Sequence, residues 1–268
     1  MSSSNVTSAF VALGGGVYRA GALTRGPWHP QQQHAGPPIA LVSHALEDAA
    51  RAHGLQHLAR LTANLLRPVP IADIEVRVQQ DYVGRNAGHF SATALADGKE
   101  LIRATALFQR EDEVGVPEGL PGHPLPLAPS PPQDSLAQRF PLAHGELGYP
   151  DLVETRVAAG KMFAGPSAVW FRMNVPLVEG VTTSPYQRVA VAADSGNGIS
   201  AILDLSTHVF VNSDLTINLL RRPVGEWVCL DARTHLSSHG GGLAESALFD
   251  EAGLIGRATQ SLFVRPRP

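Results

Sequence analysis

Two hydrophobic periodicities alternate along this chain. From Ile39 apolar residues recur at spacings of three and four, through Val42, Leu46 and Ala49, which predicts an amphipathic helix. Pro37 and Pro38 suit its first turn, where a missing N–H costs little, and Gly54 is a natural C-terminal stop. Beyond it the period falls to two. Ile74, Val76 and Val78 alternate with Glu75, Arg77 and Gln79. Residues 89–95 and 101–108 also read as strands, with Asp97-Gly98 as the hairpin turn between them. Upstream, a short apolar stretch from Phe10 to Tyr18 is broken by Gly14-Gly15-Gly16. The first half therefore reads strand, helix, then about four strands joined mainly by hairpins, an α+β layout.

The second half follows the same grammar. Residues 169–178 are strand-like, and a helical stretch starts near Pro185 and runs through Val189 and Ala193. Strands follow at residues 209–220, 227–236, 243–249 and 254–264, with a turn at Asp250-Glu251-Ala252-Gly253. The likeness extends to the letters. Leu61-Thr62-Ala63-Asn64-Leu65-Leu66-Arg67-Pro68 returns as Leu215-Thr216-Ile217-Asn218-Leu219-Leu220-Arg221-Arg222-Pro223. Arg103-Ala104-Thr105-Ala106-Leu107-Phe108 returns as Arg257-Ala258-Thr259-Gln260-Ser261-Leu262-Phe263. Two anchors in one register indicate a folding unit duplicated and fused. The expected division is residues 1–112, a linker over 113–150 with nine prolines between Pro117 and Pro150, and residues 151–268.

Composition narrows the partners. The 268 residues are 44% hydrophobic and 17% charged, ordinary for a globular protein, and a net charge of −3 with no run of Lys or Arg speaks against nucleic acid. The single cysteine, Cys229, has no internal disulfide partner. Residues 1–5 carry no basic leader, and no segment has the apolar length of a membrane span, so a soluble cytoplasmic protein is expected. Histidines 34, 44, 53 and 57 have no metal-binding spacing with any acid, so no metal is expected.

A sheet wrapped round a central helix, written twice, resembles the double hotdog fold. The second half is most similar to the acyl-CoA thioesterase II (TesB-like) family. The residues that carry the likeness are Ala193-Asp194-Ser195-Gly196, Asn212-Ser213-Asp214-Leu215-Thr216-Ile217-Asn218-Leu219, Gly225-Glu226-Trp227 and Gly253-Leu254-Ile255-Gly256-Arg257-Ala258-Thr259-Gln260. His34-Ala35-Gly36-Pro37-Pro38 looks like the His-Gly-Gly helix start of many hotdog thioesterases. The resemblance implies two fused repeats, each an antiparallel sheet around a long central helix. It also implies an acyl-CoA substrate, no cofactor, and a water held by an Asp, a Ser or Thr, and a Gln. By position Asp194 and Gln260 supply the first and last. The hydroxyl position falls on Asn212, a departure from the pattern; Ser213 or Thr216 could take the role after a register shift, or Asn212 could hold the water through its amide. Edge strands and the habit of hotdog proteins point to a homo-oligomer, a dimer of double hotdogs.

The residues can also be weighed without the family. Gln260 stands where the first copy has Ala106, so the shared fold does not fix it; it is either a harmless edge residue or an amide aimed at a ligand. Asp194 follows the apolar run Val189-Ala190-Val191-Ala192-Ala193 and is either a helix-end aspartate beside turn chemistry or a proton acceptor. His34 and Gly36 lie at a helix N-terminus, whose free N–H groups and partial positive charge could stabilise an oxyanion. Thr62, Asn64, Thr216 and Asn218 are kept in both copies, which favours a structural role, as it does for Arg67 and Arg221, although these could reach coenzyme A phosphates. Met162, Phe163, Trp170 and Phe171 are expected to fill the core. The leading expectation is acyl-CoA hydrolysis. The alternatives are a hotdog acyl-CoA hydratase or dehydratase, which would pair an Asp with a His, and a non-catalytic acyl-CoA-binding module.

Overall fold

The computed structural model describes residues 7–115, 126–141, 147–204 and 206–267. Residues 1–5, and much of the proline-rich segment expected as a linker, lie outside this range. The strands in chain order are β1 (Phe10–Gly14), β2 (Val17–Ala20), β3 (His57–Leu65), β4 (Asp73–Val83), β5 (Ala87–Ala96), β6 (Lys99–Gln109), β7 (Leu136–Ala137), β8 (Val153–Gly160), β9 (Ser167–Met173), β10 (His208–Asn212), β11 (Asp214–Leu219), β12 (Trp227–Leu236), β13 (Gly241–Asp250) and β14 (Gly253–Pro266). The helices are α1 (Gly36–Arg51), α2 (Tyr149–Leu152), α3 (Pro185–Ala193) and α4 (Gly196–Ile199).

All fourteen strands among the described residues join one antiparallel sheet in the order β1-β2-β4-β5-β6-β3-β11-β14-β13-β12-β9-β8-β7, with β10 also paired to β14. The pairings recur at an offset of 154 residues. Thr62 faces Thr105 across β3–β6, and Thr216 faces Thr259 across β11–β14. A bulge falls between Ala94 and Leu95 on β5 and again between Leu248 and Phe249 on β13. At the centre β3 pairs with β11, and Thr62 meets its counterpart Thr216, whose hydroxyl donates to it at 3.2 Å.

Turn chemistry set by local sequence closes the hairpins. Asp97 and Gly98 both take positive φ (49° and 72°), the backbone a tight two-residue hairpin demands. Between β13 and β14 the Asp250 carboxylate instead accepts from Ala252 N, from Val224 N and twice from Arg221 at 2.6 Å. Arg221 is thus part of the scaffold, and Arg67 donates to the Glu100 carbonyl.

The apolar faces of α1 and α3 meet in the core. Ile39, Leu41, Val42 and Leu46 of α1 and Val189–Ala193 of α3 are all buried. Against the expectation of a long helix in each half, α1 has 16 residues and α3 only nine. Past Ala193 the chain enters Ser195-Gly196-Asn197-Gly198, whose turn-forming residues favour breaking the helix into the separate short α4. The stretch at 209–220 also departs from expectation. It is split at Ser213 into β10 and β11, both paired with β14, because Ser213 N donates to Ser261 O while the Asp214 carboxylate accepts from Ser261 N. Strand β8 has no counterpart among the strands expected from sequence. No helix among the described residues is long and apolar enough to cross a membrane.

Candidate active site

Helix α3 starts on a capping box: Ser184 Oγ accepts from Gln187 N, and Ser184 N donates to Gln187 Oε1, both at 3.2 Å. It ends at Asp194, which is 5% exposed. The C-terminal end of a helix carries partial negative charge, so a buried carboxylate there needs donors. Three converge on it. His34 Nδ1 lies 3.0 Å from Oδ2, Asn212 Nδ2 donates to Oδ1 at 2.8 Å, and the Gly36 N–H also bonds the carboxylate. Burial pushes the Asp194 carboxyl up, but the adjacent His34, the Asn212 amide and the Gly36 N–H outweigh it and hold Asp194 below its ordinary value. Asp194 is thereby an anion inside the protein.

Each donor arrives for a local reason. His34 and Gly36 lead into α1, which crosses α3 closely: a Cβ on Gly36 would sit 2.5 Å from the Val191 carbonyl oxygen. The glycine is required by this helix contact rather than by a bound ligand. Pro37 and Pro38 remove the next two N–H groups, so the first turn of α1 offers few backbone donors. The break at Ser213 frees β10 from the line of β11 and turns Asn212 to the carboxylate.

Gln260, 2% exposed on β14, holds the turn beneath the acid. Its Nε2 donates to Asp194 O at 3.1 Å and its Oε1 accepts from Asn197 N at 2.9 Å. Both ends of the amide are therefore spent on backbone. Opposite Gln260 on β13 stands Ala244, while the 154-residue counterparts Ala106 and Phe90 face each other with the sizes exchanged. Thr216 is not brought to this site; it sits at the β3–β11 seam.

Two further residues come from the proline-rich segment. The Tyr149 ring stacks on His34 with centroids 3.8 Å apart and planes 4° from parallel, and the Phe140 ring meets His34 edge-on at 6.2 Å. Tyr149 OH donates to Val191 O and is 2.9 Å from Ser195 Oγ; burial pushes its phenol pKa up, so it stays protonated. Neither residue stands out in a sequence segment without periodicity; the nearest signal is Gly148-Tyr149-Pro150-Asp151, where the Asp151 carboxylate accepts from Gly148 N and caps α2.

His34, Asp194 and Asn212 line a cavity of about 1530 Å³. That is larger than the ~300–1,000 Å³ of most small-molecule pockets and has room for an elongated ligand. Phe140, Ala201, Ile202 and Phe210 supply apolar wall. Met162, Trp170 and Phe171 are buried as expected, but Phe163 lines the cavity. Its backbone is held at φ 63°, a conformation that costs a non-glycine residue on the order of 1–3 kcal/mol.

Two family models match the chain: the acyl-CoA thioesterase N-terminal domain over residues 24–109 and the acyl-CoA thioesterase C-terminal domain over residues 124–264. No curated protein matches it significantly. Among solved structures, a provisionally assigned thioesterase II from Thermobifida fusca is similar over 97% of this chain and 96% of its own, with a TM-score of 0.76 and 14% identity. A conserved protein of unknown function with a hot dog fold, from Alicyclobacillus acidocaldarius, covers 97% and 96% with a TM-score of 0.69 and 20% identity. An acyl-CoA thioesterase II from Mycobacterium marinum covers 96% and 95% with a TM-score of 0.61 and 16% identity. At these identities the likeness is one of fold.

Proposed function

This chain belongs to the acyl-CoA thioesterase family, and from that premise we propose that it hydrolyses an acyl-CoA thioester to the free acid and coenzyme A by attack of an oriented water. The observation that carries the reading is the buried Asp194 anion, held by three donors at the wall of a large cavity. Asp194 accepts a proton from the water as its oxygen attacks the thioester carbonyl carbon. Asn212, whose Nδ2 is on Asp194, keeps its Oδ1 for the same water, and so stands in for the hydroxyl of the family pattern. His34 lines the cavity beside Asp194 and takes the substrate-binding role expected of it, while the Gly36 N–H is engaged with the acid. Gln260 is a positioning residue: it fixes the 194–197 turn through the backbone. Thr216 has no part in the reaction.

The recurrence of register at 154 residues supports reading the chain as two fused hotdog units, 1–112 and 151–268, joined by residues 113–150. Assembly as a dimer of double hotdogs and a cytoplasmic location belong to the same proposal.

One observation favours a second reading. The 3.0 Å contact between His34 and Asp194, with the Gln260 amide spent on backbone, is the acid–imidazole pair that hydration of an enoyl-CoA would use. The two are separated by offering saturated and 2-enoyl-CoAs and following thiol release beside loss of the enoyl absorbance. Thiol release from saturated substrates supports hydrolysis. Loss of absorbance without thiol establishes the hydratase, and binding with neither change establishes a binding module.

A further inference from the structure

We propose that Phe163 is a specificity-determining residue that closes the acyl branch of the cavity and limits the length of a neutral hydrocarbon acyl chain. The proposal rests on the thioesterase reading for its substrate, and on the following geometry for the residue.

The aromatic wall runs outward from the reacting centre. Phe140 lies edge-on to His34, and Phe163 lies against Phe140 with centroids 5.4 Å apart and planes at 69°. An acyl chain whose carbonyl carbon sits beside Asp194 can follow this wall and meets Phe163 next. Beyond it, Ala201 and Phe210 form a small apolar cluster with Ala244, Leu262 and Val264, separate from the main core. Phe163 packs against both that cluster and the main core, so its ring stands between them. Phe140, Phe163, Ala201, Ile202 and Phe210 are uncharged, which suits a hydrocarbon tail running along them.

The ring is also held in place. Phe163 N donates to Ile199 O at 3.1 Å and Gly165 N donates to Ala201 O at 2.8 Å, pinning the loop to the chain that follows α4. At φ 63° a glycine or an asparagine would be far less strained, yet the position carries a large ring that faces the cavity. The contacts that offset the strain are those of the ring with Phe140 and the cavity wall, which is why the ring itself is assigned the role.

The test compares the wild type with Phe163→Gly and Phe163→Trp on a ladder of straight-chain acyl-CoAs from short to long, by thiol release. A matching ladder of non-hydrolysable S-alkyl-CoA thioethers is followed by calorimetric binding. Removing the ring should raise the long-to-short ratio of kcat/KM, and of affinity, by about tenfold or more; the indole should lower it. Phe163→Asn replaces the glycine variant should that one not fold, because asparagine tolerates positive φ. Unchanged ratios in folded variants would overturn the proposal while leaving hydrolysis standing. Absence of thiol release from every protein would remove the hydrolytic reading, and the thioether ladder would then decide the role of Phe163 alone.

Discussion

At one end of the α1–α3 helix pair, Asp194 at the close of α3 faces His34 and Gly36 at the start of α1. At the other end, Glu47 on α1 faces Ser184 and Gln187 at the start of α3, and accepts from Ser43 Oγ at 3.0 Å. Both carboxyls are buried, 5% and 6% exposed, yet they are driven in opposite directions. Burial pushes Glu47 up to about 7, against the hydrogen bonds of Ser184, Ser43 and Gln187 and the charge of Arg51. Burial acts on Asp194 in the same sense, but an adjacent imidazole and a backbone N–H overcome it. At Glu47 two hydroxyls, an amide and the Arg51 charge do not offset burial; at Asp194 the His34 ring 3.0 Å away, with the Asn212 amide and the Gly36 N–H, does. Only the Asp194 end lies on the cavity of about 1530 Å³. The consequences for stability have opposite sign. Asp194 adds stability above the ordinary carboxylate range that is lost as pH falls through its depressed value. The Glu47 contribution is fullest below its ordinary value and is lost as pH rises to about 7.

The contrast can be broken by substitution. The largest effect is expected from Asp194→Asn, which should lower kcat for thiol release by about 10²–10⁴-fold with the fold intact. Next is Glu47→Gln. It should raise stability progressively as pH climbs from the ordinary glutamate range to about 7, reaching on the order of 3 kcal/mol; denaturant melts of both proteins across pH measure it. Gln260→Ala leaves Asp194 O and Asn197 N without their partner and opens a void, at a cost of about 2–3 kcal/mol. Adding Ala244→Phe copies the Phe90 and Ala106 pairing of the first half, and should recover part of the melting temperature but not the turnover. The smallest effect is expected from Tyr149→Phe, about 1 kcal/mol for the lost bond to Val191 O, since the stacking on His34 survives. Chemical denaturation would detect it.

Much of this organisation could be read in the sequence, because it is written in local periodicity. The apolar spacing from Ile39 marks α1, the Asp97-Gly98 turn fixes a hairpin, and the run Val189–Ala193 marks the second half of α3. The repeated anchors foretell the register because paired strands must keep side-chain phase. His34, Asp194, Asn212 and Gln260 are each legible as residues, but their arrangement depends on α1 crossing α3, which no local pattern encodes. The break at Ser213 is not legible because one extra residue in a strand leaves the apolar letters nearly unchanged, and it is this break that separates the direction of Asn212 from that of Thr216. Tyr149 and Phe140 were invisible for another reason: they are single aromatics in a proline-rich stretch, and only tertiary contact gives them meaning. Phe163 reads as core by composition, and only its backbone angle sets it apart.

The most direct measurement is the pH dependence of kcat/KM for acyl-CoA hydrolysis in the wild type, Asp194→Asn and Glu47→Gln, taken together. The account expects wild type and Glu47→Gln to share one profile, in which the limb set by Asp194 lies in acid below the ordinary aspartate range, and Asp194→Asn to have lost turnover at every pH. An acid limb near pH 7 that disappears in Glu47→Gln, or wild-type turnover in Asp194→Asn, would contradict it and move the chemistry to the opposite end of the helix pair or to another group.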